Sequence, residues 1–529
     1  MFIFALTVRF GAATLWQQQC NANGSALRFG DSNSYWIIAR NLLHHGNYQY
    51  GSDQSRIFRA PIYPLFLTPT VATESLNTSN NNSTLLAPIN PNSALAARAC
   101  GSLLGAACIP LLMLWAYFLQ SHIPNQTQPP QPHQSSRPTS LYKPLIAATS
   151  AGILASLYCG AVGMSIFILS EAVATPLFIL SIYTWWLATF HPKHSTKPLL
   201  PLCIAAITLA LACLSRPSWG LWPAFALPFL GFASFSKETP NRKIVPKNTL
   251  FFLALFILTL SPWWLRNYSI SGKFVPTTLQ VGASLYDGWH RGASGSSDEN
   301  MGFSTEFLNL QLQEDAMLAS QGTEPESTLE WRIDRKLRNA ALQWAFENPS
   351  DVAKLGLVKF LKTWMPLPVA KELGNQSVRW WEATSYSLIL ALAVLGLVSL
   401  WKSQPLSALW IALPCLYLAT LHCIFIGSVR YRQPGVLILC ALAGVGAATL
   451  LAYLQKTFLK TSSKNQTLSN PIECHTDRRH STLLTDVSAI NPQSEPTQPT
   501  HPTWVRTPRM APTARSRHRD GVLRRIRSR

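Results

Sequence analysis

The 529 residues are 48% hydrophobic and only 13% charged, with 18 Trp and 24 Phe. Such a composition suits a polytopic membrane protein and excludes a string of ordinary soluble domains. The formal charge of +20 does not call for a nucleic-acid partner, because it is unevenly placed: residues 456–529 hold fourteen Lys/Arg against five Asp/Glu, whereas 266–379 are close to balanced. Loops sorted across a membrane give that pattern.

Apolar runs recur from Met1 to Leu454, each near the roughly 20 residues with which a helix crosses the hydrocarbon core. Ten candidate spans follow in order: Met1–Trp16, Ser93–Leu119, Leu145–Met164, Ser165–Phe190, Leu199–Ser215, Trp219–Phe235, Thr249–Leu265, Trp380–Trp401, Leu406–Ile426 and Pro434–Leu454. Met1–Trp16 lacks a basic start and a small-residue cleavage pattern and contains Arg9, so it reads as a first span and not as a signal peptide. With the amino terminus in the cytoplasm, the inside loops carry Arg137, Lys143, Lys193, Lys197, Lys237, Arg242, Lys243, Lys247 and Lys402. That is the excess the orientation rule requires.

Two large external segments remain, Gln17–Asn92 and Arg266–Arg379. In the first, Asp31 precedes a helical pattern of Tyr35, Ile38, Leu42 and Leu43, with Gly46 as the stop and Asp31 itself as a favoured N-cap type. In the second, Gly282–Gly302 reads as a mobile loop. Further on, Pro349-Ser350-Asp351 opens an amphipathic pattern of Val352, Leu355, Val358, Leu361 and Trp364 beside Lys354, Lys359 and Lys362. It is expected to lie on the outer membrane interface. Ser121–Pro138 and Thr461–His501, rich in Pro, Gln and Ser, cannot bury a core and are expected to be disordered. The fold expectation is an all-α polytopic bundle over 1–455, followed by a basic cytoplasmic tail over 456–529.

Eight of the ten cysteines lie in apolar runs, where Cys behaves as a small buried hydrophobe. No CxxC or Cys/His spacing occurs, so no zinc or redox pair is indicated. Walker and dinucleotide fingerprints are absent as well. A nucleotide-activated substrate is therefore not expected.

The motifs that remain stand at external ends of spans. They are Gly30-Asp31-x-x-x-Tyr35-Trp36, Gly46-Asn47-Tyr48, Arg59-x-Pro61-x-Tyr63-Pro64, Ser170-Glu171, Arg216-Pro217 and Ser261-Pro262-Trp263-Trp264-Leu265-Arg266-Asn267. Val281 through Gly288 and Arg430-Tyr431-Arg432-x-Pro434 complete the series. Their order resembles the GT-C glycosyltransferases, above all the family 39 group of protein O-mannosyltransferases, lipid A aminoarabinose transferases and their bacterial cousins. The resemblance covers about Met1 to Leu454. It implies a GT-C-type bundle in a bacterial plasma membrane that takes a sugar from a polyprenyl-phosphate carrier at the external face and hands it to a glycan, lipid or protein acceptor.

By that resemblance Asp31 matches the family's loop carboxylate, the general base, while Ser32 stands where many relatives place a second acid. The departure favours a lone base over a paired-carboxylate or metal role, and no metal or other cofactor is indicated. A leaving phosphate calls for guanidinium groups, which bind its oxygens in pairs. Arg59, Arg216, Arg266, Arg430 and Arg432 qualify by position, with Arg59 and Arg430 preferred. Glu171 stands six residues into a candidate span, where an acid is costly and hints at function. Tyr35, Tyr63, Tyr286 and Asp287 are candidate substrate contacts; interfacial aromatics are the plainer reading of the tyrosines. The rival class is a transporter or lipid-carrier flippase, which also uses intramembrane acids.

Overall fold

A computed structural model describes residues 1–51, 53–74, 87–122, 139–298, 302–367 and 376–468. Every regular element among them is helical. Met1–Asn465 form one compact unit, and from residue 469 the tail lies outside the described residues. Most of Ser121–Pro138 lies outside them too.

Helices stand at all ten expected spans: Phe2–Ala22, Pro91–Ser121, Thr139–Leu157 with Cys159–Ile166, Glu171–Phe190, Leu199–Ser215, Trp222–Phe235, Val245–Ser271, Gln376–Leu400, Pro405–Ile424 and Val429–Leu468. Six are long and apolar enough to cross a membrane, and the pair Tyr142–Leu157 and Cys159–Ile166, bent by 56°, makes a seventh if counted as one span. The protein is an all-α polytopic membrane protein.

Buried arginines meet the bent third span. Arg9 of the first helix is fully buried and donates from Nη2 to Ala155 O (3.2 Å) and from Nη1 to Ser156 O (3.4 Å). Arg98 donates from Nη1 to Ile166 O at 2.7 Å. The two guanidiniums thus meet carbonyls at the carboxyl ends of both halves, where unpaired acceptors and the negative dipole end favour a cation. The chain then runs unhelical through Phe167–Ser170 before the next helix opens at Glu171. The span expected from Ser165 therefore starts later, and Glu171 belongs to its first turn instead of lying deep within it.

Aromatic stacking fills the bundle. Trp185 stacks on Phe252 at 3.7 Å and Phe178 on Trp219 at 3.6 Å, while Trp410 Nε1 donates to Ile182 O at 3.2 Å. Elsewhere glycines let backbones touch. A Cβ at Gly446 would stand 1.9 Å from Leu392 O, and one at Gly396 would stand 2.1 Å from Leu442 O, the small-residue packing by which membrane helices approach closely.

The first long segment folds into Gly30–His45 and Ile62–Val71. Gly46 ends the former in the left-handed conformation (φ 68°), as its position predicts. The second contains Val281–Gly288, Gly302–Ser320, Leu329–Glu347 and Pro349–Trp364. Gly282–Gly302 is thus no free loop up to residue 298: Gly282 N donates to Asp334 Oδ1 at 2.7 Å, and Gly427 N to Gly295 O at 2.9 Å. These glycines serve close approach, since a Cβ at Gly282 would lie 2.0 Å from Asp334 O. The amphipathic Pro349–Trp364 helix forms, but Lys359 is buried and donates from Nζ to Ile424 O at 2.8 Å, so it does not face water beside Lys354. Burial lowers its amine to about 8.

Gly446→Val should force the Gln376–Leu400 and Val429–Leu468 helices apart and destabilise the protein by about 1–3 kcal/mol. Gly231, whose Cβ position meets nothing within 4 Å, should accept Ala with no loss. Thermal unfolding of both variants in detergent checks the contrast.

Candidate active site

Asp31 lies in the first turn of the Gly30–His45 helix, but the N-cap is Phe29. The expected capping role is therefore not used, and the carboxylate turns to arginine. Arg59 Nη2 binds Asp31 Oδ1 at 2.7 Å. Arg430 Nη1 approaches Asp31 Oδ2 at 3.5 Å. Arg430 Nε pairs in turn with Glu171, whose Oε1 also meets Arg216 Nη1 at 2.9 Å. The result is a continuous ionic chain of three guanidiniums and two carboxylates, Arg59–Asp31–Arg430–Glu171–Arg216. The first long segment and three helix ends contribute to it.

Local structure fixes each member. Arg59 sits just before Pro61, the N-cap of Ile62–Val71, and its Nε and Nη1 donate to Ser34 Oγ and Gln280 Oε1, both at 2.9 Å. Its guanidinium lies 4.7 Å from the centre of the Tyr35 ring, and Tyr35 meets Tyr63 edge-on at 4.9 Å. Tyr63 is buried; these two rings form the bed of Arg59. The Tyr431 ring, stacked on His422 at 4.1 Å, lies beneath Arg216 and Arg430 at 5.3 and 5.9 Å.

The two carboxylates differ in access. The Asp31 side chain is 40% exposed and that of Glu171 2%, so only Asp31 can meet a solute directly. Burial pushes the Asp31 carboxyl up, but the charge of Arg59, then that of Arg430, outweighs it and holds the group well below the usual carboxylate range. Asp31 is therefore ionised at any physiological pH.

Other expected site residues lie elsewhere. Arg432 is fully buried, pairing with Glu382 at 3.0 Å and lying 3.8 Å from the Tyr386 ring. Arg266 braces the loop ahead of Arg59, donating to Tyr48 O (3.3 Å) and Arg56 O (3.1 Å) over the Trp263 ring. Tyr286 packs on His290 and Phe307. Asp287 is buried, accepting from Ser297 Oγ at 3.0 Å and Asp298 N at 3.1 Å, and burial raises its carboxyl. Among the described residues no three His, Cys, Asp or Glu side chains gather as a metal site. Ser34, Gln280 and His422 join the cluster's support without having been singled out from the sequence. Ser34 and Tyr431 lie within the quoted motifs, whereas Gln280 gave no signal of its own.

The chain is similar to several solved membrane enzymes. One is the archaeal oligosaccharyltransferase AglB from Archaeoglobus fulgidus, in complex with an inhibitory peptide and a dolichol-phosphate: 13% identity, TM-score 0.48, covering 90% of this chain and 52% of that one. Another is ArnT from Cupriavidus metallidurans bound to undecaprenyl phosphate: 11% identity, TM-score 0.37, covering 85% and 77%. The chain thus spans about half the length of the oligosaccharyltransferase. No protein-family model matches it, and neither does any curated protein. At such identities the chemistry has to be argued from the site.

Glu330 ties the second segment to the loop that carries Arg59. Its carboxylate accepts from Ile57 N (2.9 Å), Arg56 N (3.2 Å) and Ser55 Oγ (3.2 Å). Burial raises it from 4.5 to about 7 despite those donors. The folded protein then holds this proton more tightly than the unfolded chain, so stability falls as pH rises from about 4.5 through about 7 and is level above. Glu330→Gln should flatten the melting temperature between about pH 5 and about pH 8, whereas the parent's declines. Thermal scans across that range decide it.

Proposed function

We propose that the chain is a GT-C-type glycosyltransferase that moves a sugar from a polyprenyl-phosphate donor to an acceptor hydroxyl by single displacement. One observation carries the reading: the solvent-reachable Asp31 carboxylate is shared between Arg59, on the first long segment, and Arg430, at the start of the last membrane helix. A carboxylate is the proton acceptor that a hydroxyl nucleophile needs. Guanidiniums are the partners that a departing phosphate needs. A lipid-linked donor reaches such a site from within the bilayer.

In the proposed step the acceptor oxygen attacks the anomeric carbon, and the carbon–oxygen bond to phosphate breaks on the opposite face. The hydroxyl proton passes to Asp31. The phosphate departs with the bonding electron pair, its charge met by Arg59 and Arg430, with Arg216 behind them. As long as the guanidiniums hold Asp31, its proton affinity stays low. A donor phosphate that takes over Arg59 and Arg430 raises that affinity in the same event, so the base is activated only when the donor is in place. Glu171 keeps Arg216 and Arg430 side by side.

The basic loops, with Lys193, Lys197, Arg242 and Lys402, stand at the helix ends away from this cluster. By the positive-inside rule this supports an external, periplasmic position for the cluster. A transporter would hold its charged site near the midplane between repeats, whereas Asp31 and Arg59 lie outside the spans.

Asp31→Asn should reduce transfer from a radiolabelled polyprenyl-phosphate sugar by about 10²–10⁴-fold at unchanged expression, with the glycan product measured in isolated membranes. Unchanged transfer would remove Asp31 from the role.

A further inference from the structure

Glu382 is a buried carboxylate outside the ionic chain. It stands early in the Gln376–Leu400 helix and draws three donors to one oxygen: Arg432 Nη2 at 3.0 Å, Gln433 Nε2 at 2.9 Å and the Tyr158 hydroxyl at 3.4 Å. Its Oε2 is buried with no partner among the described residues. Arg432 spends Nη1 on Met365 O (2.5 Å) and Thr363 O (3.3 Å). The whole assembly therefore grips two consecutive residues, Arg432 and Gln433.

Those residues belong to the opening turn of the last helix, Val429–Leu468, which also carries Arg430. With 3.6 residues per turn, positions two apart point in roughly opposite directions, about 200° round. Arg432 accordingly faces Glu382 while Arg430 faces Asp31 and Glu171. The turn is poorly held by its own backbone. Its first N–H groups have no helical partners; that of Arg430 donates to Ser428 Oγ at 3.3 Å. Pro434 has no N–H to offer the Arg430 carbonyl four residues back. A side chain ties the turn at another point: Gln433 Nε2 bridges Glu382 Oε1 and Val429 O, both at 2.9 Å. Gln433 also lines a small cavity together with Glu171 and Thr175, so the grip extends to the underside of the ionic chain.

We infer that Glu382 is a positioning residue of the transfer site: by holding Arg432 and Gln433 it fixes the opening turn of the last helix and thereby the approach of Arg430 to Asp31, Glu171 and the donor phosphate. The inference rests on the phosphate-binding reading of the cluster. Arg432, expected from its motif to bind phosphate directly, then acts from behind through the turn it shares with Arg430.

The test measures binding of a sugar-free polyprenyl phosphate to the full chain in detergent micelles, for the parent, Glu382→Gln, Arg430→Ala and the double variant. Glu382→Gln should weaken binding about tenfold, yet change it less than about twofold in the Arg430→Ala background, because the two act on one contact. Losses that add in the double variant, or unchanged affinity in folded Glu382→Gln, would overturn the inference. If Glu382→Gln does not fold, Gln433→Met keeps the Glu382–Arg432 pair, removes the Gln433 link between Glu382 and Val429, and carries the same comparison. A parent that does not bind the probe strikes the phosphate reading itself; a parent that binds, with Arg430→Ala impaired and Glu382→Gln unaffected, strikes only the positioning role.

Discussion

Three guanidiniums share two carboxylates at the head of an apolar bundle, and the rest of the architecture serves that arrangement. Charges taken out of water are tolerated only when paired with good geometry. Here the pairing is complete in one direction only: Glu171 lies between Arg216 and Arg430, while Asp31, between Arg430 and Arg59, is open to solvent on one side. The formal surplus is one positive charge. An anion entering beside Asp31 therefore finds donors already aimed and already desolvated, the condition under which electrostatic stabilisation is strongest.

The irregularities of the fold fall where this cluster needs them. The third span breaks at Tyr158, and Arg9 and Arg98 take up the carbonyls at the carboxyl ends of its two halves. The unhelical Phe167–Ser170 stretch then lets a new helix begin at Glu171. An acid in that first turn also meets the positive end of the helix dipole. In lipid, irregular backbone survives only where protein groups satisfy it. The two buried arginines do so, which accounts for Arg9 within an otherwise apolar first helix.

Much of this could be read from the residues alone. Apolar run length locates helices at all ten expected spans, because backbone groups in lipid have to be satisfied within the segment. The motifs carry Asp31, Arg59, Glu171, Arg216 and Arg430, all of which meet. What was illegible depends on long-range contacts or on which way a side chain faces. The break at Tyr158 goes with a contact between Ser156 O and an arginine 147 residues before it in the chain. Arg432 shares a motif with Arg430, yet two residues along a helix reverse its direction. The glycines from Gly282 onward read as flexibility because composition cannot separate a mobile loop from one where backbones touch. Gln280, which holds Arg59, carries no pattern at all.

The most direct test of the account is a structure of the full chain with a polyprenyl phosphate bound. The account predicts phosphate oxygens within hydrogen-bond distance of the Arg59 and Arg430 guanidiniums, with Asp31 released from at least one of them and turned toward open solvent. Phosphate bound away from both arginines, with the Asp31–Arg59 and Asp31–Arg430 contacts unchanged, would contradict it.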